Sequence, residues 1–423
     1  MKNVAKSLII SRLNTKVRKL LTNHNITIIG VTGSVGKTIT KQAIGEVLSS
    51  TRKVRYSEDS YNTDIGVPLS LFGMKVPAKL WNARAWQKIF KSIDAQLEHY
   101  EYDTVVLELA DDELKAMKKV LRIVKLDIGV ISAIAPVHME RLKDMQTVVH
   151  DNWQIAANAK KIIYNADNEA LRKKAYKTNT YGFGLQHGVV RFTKISRNKS
   201  GFLQAQLQIG KHKKTIHTCM IGRQNLYNIL AAAAVANQLD LPFEAICFEL
   251  SQIKAVKGRM NLLAGEAGAR IIDDSYNASP ETVIAALDTL KEFKGRKIAI
   301  LGSMNELGGQ ATVAHQQVGE RAAKSVDLLV TVGALAEELM APAAAHAGLK
   351  SNQIKVFRTP YEAGHYVKGI LQKDDIILVK GSQDSVYTEE ATRILLSSKL
   401  DANQLLVRQS PVWKRRKKKS FAT

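Results

Sequence analysis

The sequence predicts an α/β protein built from two layered domains, each on a mainly parallel sheet. Short β-rich runs alternate with helical stretches from Asn25 onward, the pattern left by parallel strands with crossover helices. The alternation begins a second time after Gly258, so two such sheets follow one another. At 423 residues, 45% hydrophobic and 24% charged, the chain has the length of two or three domains and the composition of a soluble globular protein.

Residues 1–25 read as a basic amphipathic helix, with Val4, Leu8, Ile9, Leu13 and Val17 at near-helical spacing. A central domain is expected over 26–256. Its strands fall at 26–31, 53–56, 104–109, 128–134 and 161–164, and a Trp-bearing helix lies at 80–99. Alternating Phe, Leu and Ile at 189–217 predict a more antiparallel patch, and 226–238 reads as an alanine-rich buried helix. The hinge is expected around Ala255–Gly258, and a C-terminal Rossmann-like α/β domain over 257–405. Its strands are expected at 270–274, 297–301, 328–332, 354–357 and 376–379, and its helices at 279–293, 313–325, 335–346 and 389–397.

The net charge of +23 is concentrated at the ends. Residues 1–25 carry Lys2, Lys6, Arg12, Lys16, Arg18 and Lys19 and no acid; residues 406–423 carry Arg408 and Lys414 through Lys419, again without an acid. Solvated, mobile tails are the plainer expectation for these ends. Peripheral contact with anionic membrane is the alternative, and no aromatic or helix-turn-helix pattern points to specific nucleic acid. Cys219 and Cys247 have no metal-type spacing and are expected as free thiols in a reducing compartment. No apolar run approaches the roughly 20 residues that span a bilayer, and no small-residue cleavage site follows the short patch Leu8-Ile9-Ile10.

Residues 29–40, Ile-Gly-Val-Thr-Gly-Ser-Val-Gly-Lys-Thr-Ile-Thr, run from an apolar strand into a glycine-rich turn. A P-loop-type phosphate cradle is expected here, with backbone N–H groups of Thr32, Gly33, Ser34, Val35 and Gly36 converging on ATP phosphates. Lys37 is expected to reach the outer phosphates and the Thr38 hydroxyl to take one position on Mg²⁺. Val31 stands where such loops usually begin with glycine. A strand–helix turn that merely needs glycine is the alternative.

Several further segments match one family in order. They are Tyr61–Pro68, Gly129–Glu140, Asn165-Ala166-Asp167, Gly222–Asn228, Gly258-Arg259-Met260, Ile272–Pro280, Ser303–Gly308 and Val379–Ser382. With Thr32–Thr38, they resemble the Mur ligase family, the ATP-dependent amide ligases of cell-wall precursor synthesis. Within it the Tyr276-Asn277-Ala278-Ser279-Pro280 run is most similar to the branch that joins D-alanyl-D-alanine to a UDP-muramoyl-tripeptide.

The resemblance implies a carboxylate attacking the γ-phosphate of ATP and an amine displacing phosphate from the acyl phosphate. It implies Lys37, Glu108 and His138 as catalytic groups and Thr38, Glu108 and His138 around Mg²⁺. It also implies Asn228 at adenine, Arg259 at nucleotide phosphates, Asp274 at ribose, and Tyr276, Asn277, His315, Lys380 and Ser382 on the substrate side. A helix N-terminal cap is the plainer role for Asn225 or Asn228. For Glu108, Arg259 and Asp274 the plainer role is a solvated charge. The implied location is the cytoplasm, with the inner membrane surface as a peripheral alternative.

Three departures bear on substrate. The family's tripeptide ligases carry an N-terminal UDP-sugar-binding domain before the glycine loop, for which residues 1–25 are too short, so UDP recognition is expected to be done otherwise, supplied by a partner, or not done at all. Asn152 falls at or near the family's carbamylated lysine, so a second Mg²⁺ is expected either to use Asp151 as a partial substitute or to be weakly held. Ala133 and Ala135 replace the usual Asn and Gly, and Ser303 the usual Asp. Two further readings are therefore kept: a ligase for another carboxylate acceptor such as polyglutamate, and a non-catalytic ATP-binding scaffold.

Overall fold

The computed structural model describes residues 2–57, 61–77, 79–109, 116–134, 145–175 and 179–421. The chain forms two compact units, one of residues 1–196, 204–218 and 225–253, the other of 197–203, 219–224 and 254–423.

In the first unit, β1 (Thr27–Thr32), β2 (Val54–Tyr56), β3 (Thr104–Glu108), β4 (Leu126–Ile131), β5 (Ala159–Asn165) and β6 (Thr180–Gly184) are followed by β7 (Val190–Arg197), β8 (Leu203–Ile209) and β9 (His212–His217). They form one nine-stranded sheet ordered β2-β3-β1-β4-β5-β6-β7-β8-β9. Neighbours from β2 to β7 are parallel, and β8 and β9 are antiparallel. β1 is apolar and buried along almost its whole length, as expected of a parallel strand covered on both faces. It lies between β3 and β4, so the glycine loop leaving its carboxyl end sits mid-sheet, where open α/β sheets bind ligands.

The N-terminal helix Lys2–Asn23 is part of this unit's core. Leu13, Val17 and Leu20 are fully buried in one cluster with Trp86, Phe90, Ile93 and Leu97 of the helix Ala83–Glu98. Each such side chain contributes about 1.5–3 kcal/mol. The apolar stripe is longer than its buried part, because Val4 and Leu8 remain exposed.

In the second unit, β10 (Asn261–Ala264), β11 (Arg270–Asp274), β12 (Lys297–Gly302), β13 (Leu328–Val332), β14 (Ile354–Phe357) and β15 (Ile376–Lys380) form a six-stranded sheet. Its order is β10-β11-β15-β12-β13-β14, antiparallel only at β10–β11. Ser279 and Thr282 form a capping box ahead of Pro280, which starts the helix Pro280–Lys291. The helix expected at 335–346 is a π turn, Ala336–Met340, running into the α-helix Ala341–His346.

The basic C-terminal segment is not a mobile tail. It forms the helix Pro411–Ser420, and Lys417 is buried with its Nζ 2.7 Å from both Glu389 Oε1 and Glu390 Oε1. Arg408 donates from Nη2 to Glu389 Oε2 at 2.7 Å. Two adjacent buried carboxylates require cationic partners, and the basic run supplies them.

Candidate active site

The glycine loop is held open by its neighbours. Gly33 and Gly36 have φ of 132° and 87°, values L side chains rarely adopt. A Cβ at Gly33 would stand 2.2 Å from Ser132 Oγ and 2.8 Å from Ala133 O, and one at Gly36 2.4 Å from Asn228 Oδ1. The Ser34 N–H donates to Ala133 O at 2.7 Å, and the Ser132 hydroxyl donates to Val35 O at 2.7 Å. Lys37 folds back across the loop, its Nζ 2.8 Å from Gly33 O. Helix Lys37–Leu48 begins at Gly36 without a side-chain cap. Ser34 Oγ is buried without a hydrogen-bond partner among the described residues. An uncapped helix start, an orphaned hydroxyl and a tight turn through two glycines at positive φ fit a phosphate chain.

At the carboxyl end of β3, beside β1, Glu108 is 4% exposed. Its Oε2 lies 3.1 Å from Nζ of Lys41, which is fully buried and 3.3 Å from Ser57 Oγ. Lys41 was not anticipated from sequence. The available signal was its position one helical turn after Lys37, on the same face. The hydroxyl of Thr38 and the carboxylate of Glu108 are hard oxygen donors of the kind Mg²⁺ takes. Among the described residues no three His, Cys, Asp or Glu side chains cluster as a metal site. His138, with Ala135, lies outside the described residues. Asn152 is buried, its Oδ1 accepting from Thr32 Oγ1 at 2.7 Å and its Nδ2 donating to Val148 O at 3.0 Å. The side chain at this position therefore supports the loop directly.

Asn228 is also brought to the loop. Its Oδ1 accepts from Thr40 Oγ1 at 3.0 Å, and its Nδ2 lies 3.3 Å from Asn225 Oδ1. The helix starts at Arg223, so both amides lie inside it and the capping role is corrected.

In the second unit, most of the other expected residues meet around β11. Asp274 Oδ2 is 2.6 Å from Lys380 Nζ, and its Oδ1 accepts from Met260 N at 3.1 Å. Lys380 also donates to Asn277 O at 2.9 Å. Burial pulls the Lys380 ammonium below its usual range, and Asp274 pulls it back up. The guanidinium of Arg259 stacks 3.9 Å from the centre of the Tyr276 ring. Arg408 donates to Tyr276 O at 3.0 Å and Ser275 O at 2.7 Å, fixing the turn. Arg259, Tyr276 and Asn277 are half-buried, whereas Asp274, Lys380 and Ser382 are buried. The solvated-charge alternative thus fails for Asp274, as it does for Glu108.

His315 needs correction. It is fully buried, with Nδ1 donating to Ala311 O at 2.7 Å and Nε2 accepting from Met304 N at 2.9 Å. Burial lowers its pKa, consistent with a neutral ring that braces the turn after β12 and has no nitrogen left for substrate. Ser382 Oγ accepts from Asn305 N at 2.8 Å and braces the same turn.

The chain matches two family descriptions in order: "Mur ligase middle domain" over residues 86–236 and "Mur ligase, glutamate ligase domain" over 258–383. It is 27% identical over 381 residues to the UDP-N-acetylmuramoyl-tripeptide--D-alanyl-D-alanine ligase of Bacillus subtilis, covering 88% of this chain and 76% of that protein. The enzyme of that name from Escherichia coli is 26% identical over 385 residues, covering 87% and 76%. Among solved structures, the MurF ligase from Thermotoga maritima in complex with ADP superposes with a TM-score of 0.77 at 25% identity, covering 93% of this chain and 84% of that one. A middle-domain match on the unit that carries the glycine loop, followed by a ligase-domain match on the unit that carries the Asp274 cluster, places the whole arrangement in one lineage: the chain belongs to the Mur ligase family.

Proposed function

We propose that the protein is an ATP-dependent amide ligase of peptidoglycan precursor synthesis that joins D-Ala-D-Ala to a UDP-muramoyl-tripeptide in the cytoplasm. The observation that carries this reading is the glycine loop at the carboxyl end of β1, where Gly33 and Gly36 stand at positive φ and pack too closely on Ser132, Ala133 and Asn228 for any side chain. The relatives' names supply the substrates.

In this reading the loop N–H groups other than that of Ser34, which is taken by Ala133 O, bind the phosphates of ATP together with Lys37. The carboxylate of the muramoyl peptide attacks the γ-phosphorus, the bond to ADP breaks, and the amine of D-Ala-D-Ala then displaces phosphate from the acyl phosphate. Thr38, Glu108 and His138 would hold Mg²⁺, which neutralises charge on the transferred phosphoryl group. Lys41 pairs with the Glu108 carboxylate and fixes it at the sheet edge. Asn228 lies against the loop and supports the adenine side. In the second unit Arg259, Tyr276 and Asn277 present half-buried polar groups to ligand, Asp274 and Lys380 hold their turn, and Ser382 braces the turn after β12.

The test is substrate-dependent phosphate release by the wild-type protein and Lys37→Ala. The wild type should release phosphate only with both co-substrates, and the variant should lose at least a hundredfold in rate while keeping its melting temperature. Equal rates would sink the assignment.

A further inference from the structure

The two basic ends of the chain have different fates. At the C-terminal end Arg408 and Lys417 are buried against Glu389 and Glu390, and Arg416 pairs with Asp384. At the N-terminal end the first turns of the helix Lys2–Asn23 leave Val4 64% and Leu8 66% exposed, and nearby Trp81 is 45% exposed. Leu8, Ile9, Trp81, Trp86 and Phe90 line an open groove of about 650 Å³, with Arg12 and Lys91 at its side. Arg12 lies over the Phe90 ring at 4.1 Å.

Charge around this face is one-sided. Lys75, Lys79, Arg84, Lys88 and Lys91 are exposed, and no acid occurs between residues 65 and 93 or between residues 1 and 45. Asp94, the acid that lines the groove, is paired with Lys16, and Asp64 lies 3.7 Å from Lys6. An apolar floor, exposed aliphatic tips and an amphipathic Trp inside a field of cations match the interface of an anionic bilayer. An apolar groove can also take an amphipathic helix of a protein, and what favours the bilayer here is the excess of exposed cations around the groove. No described helix is long and apolar enough to cross a membrane, so the contact is peripheral.

We infer that this face docks on an anionic phospholipid surface, with Val4, Leu8 and Trp81 entering the interface, the groove taking an acyl chain, and Arg12 and Lys91 meeting headgroup phosphates. The C-terminal helix, which also exposes Lys418 and Lys419, is the rival site that the test separates.

Co-sedimentation of the full chain with vesicles tests this, and needs neither nucleotide nor ligase activity, so its outcome is independent of the enzymatic reading. Vesicles of phosphatidylglycerol and phosphatidylcholine should bind the protein at least tenfold better than phosphatidylcholine alone at about 0.1 M salt, and less well at higher salt. Leu8→Glu and Trp81→Ala, both at exposed positions, should each reduce binding at least fivefold with unchanged circular dichroism. The double variant Lys418→Glu, Lys419→Glu, on the exposed side of the C-terminal helix, should bind within twofold of wild type. Absence of binding to anionic vesicles, or loss in the C-terminal variant with full binding by Leu8→Glu and Trp81→Ala, would overturn the inference. So would capture by another protein that Leu8→Glu abolishes while vesicle binding stays unchanged.

Discussion

Lys41 Nζ lies 3.1 Å from Glu108 Oε2, with the two side chains 0% and 3% exposed. The pair ties the helix that follows the glycine loop to the end of the neighbouring strand, so the phosphate cradle and the carboxylate are fixed relative to each other. Breaking a buried ion pair by removing one partner costs about 3–5 kcal/mol. Lys41→Met should therefore lower denaturant stability by that order, and adding Glu108→Gln should recover at least half of the loss. Additive losses in the double variant would show that the pair does not act as a unit.

Gly36 has a φ of 87° and no room for a Cβ against Asn228. Gly36→Ala should cost about 1–3 kcal/mol of stability and remove nucleotide binding measured by calorimetry. Gly309→Ala, where a Cβ meets nothing within 4 Å, should change stability by less than about 0.5 kcal/mol and leave binding intact. Nucleotide binding by Gly36→Ala equal to wild type would mean that the loop is not the cradle.

The C-terminal helix is held by charge. Lys417→Met leaves Glu389 and Glu390 short of a buried cation and should lower stability by about 3 kcal/mol. Exposed Lys418→Met should change it by less than about 0.5 kcal/mol. Thermal melts of the two variants side by side decide the point. Equal melting temperatures would restore the view of a free tail.

Burial pushes the Asp273 carboxyl up to about 6, against the Ser275 and Thr392 hydroxyls that lower it. A folded value above the unfolded one, about 3.9, means that folding favours the protonated form. This group's contribution is fully present below about pH 4 and is lost as pH rises through about 6. Relative to Asp273→Asn, the wild type should lose stability between pH 4 and 6 by up to about 1.4 kcal/mol per pH unit. Parallel pH profiles for the two proteins would contradict this.

Much of the fold was legible because parallel strands are buried on both faces and read as apolar runs. β1, β3, β4 and β11 to β15 fall within about two residues of their expected positions at most ends. β10, a four-residue antiparallel edge, and β6, Thr-Tyr-Gly-Phe-Gly, are too short or too glycine-rich to stand out. The loop residues Thr32 to Thr38 carried their own signal, because glycine at φ > 0 and Lys-Thr after it are local requirements.

The pairings were not local. Nothing periodic marks Lys41 as buried, and its partner Glu108 is 67 residues away in sequence. The run Lys414–Lys419 reads as solvated because like charges repel, yet its counter-ions, Glu389 and Glu390, precede it on another helix. The resemblance implied His315 on the substrate side, but only the folded turn shows both of its nitrogens engaged by backbone.

The most direct test of the central claim is mass spectrometry of the product formed from Mg-ATP, UDP-muramoyl-tripeptide and D-Ala-D-Ala. The account predicts the UDP-muramoyl-pentapeptide together with ADP and phosphate, and none of the pentapeptide when any one substrate is omitted. Bound ATP with no joined product under those conditions would contradict it.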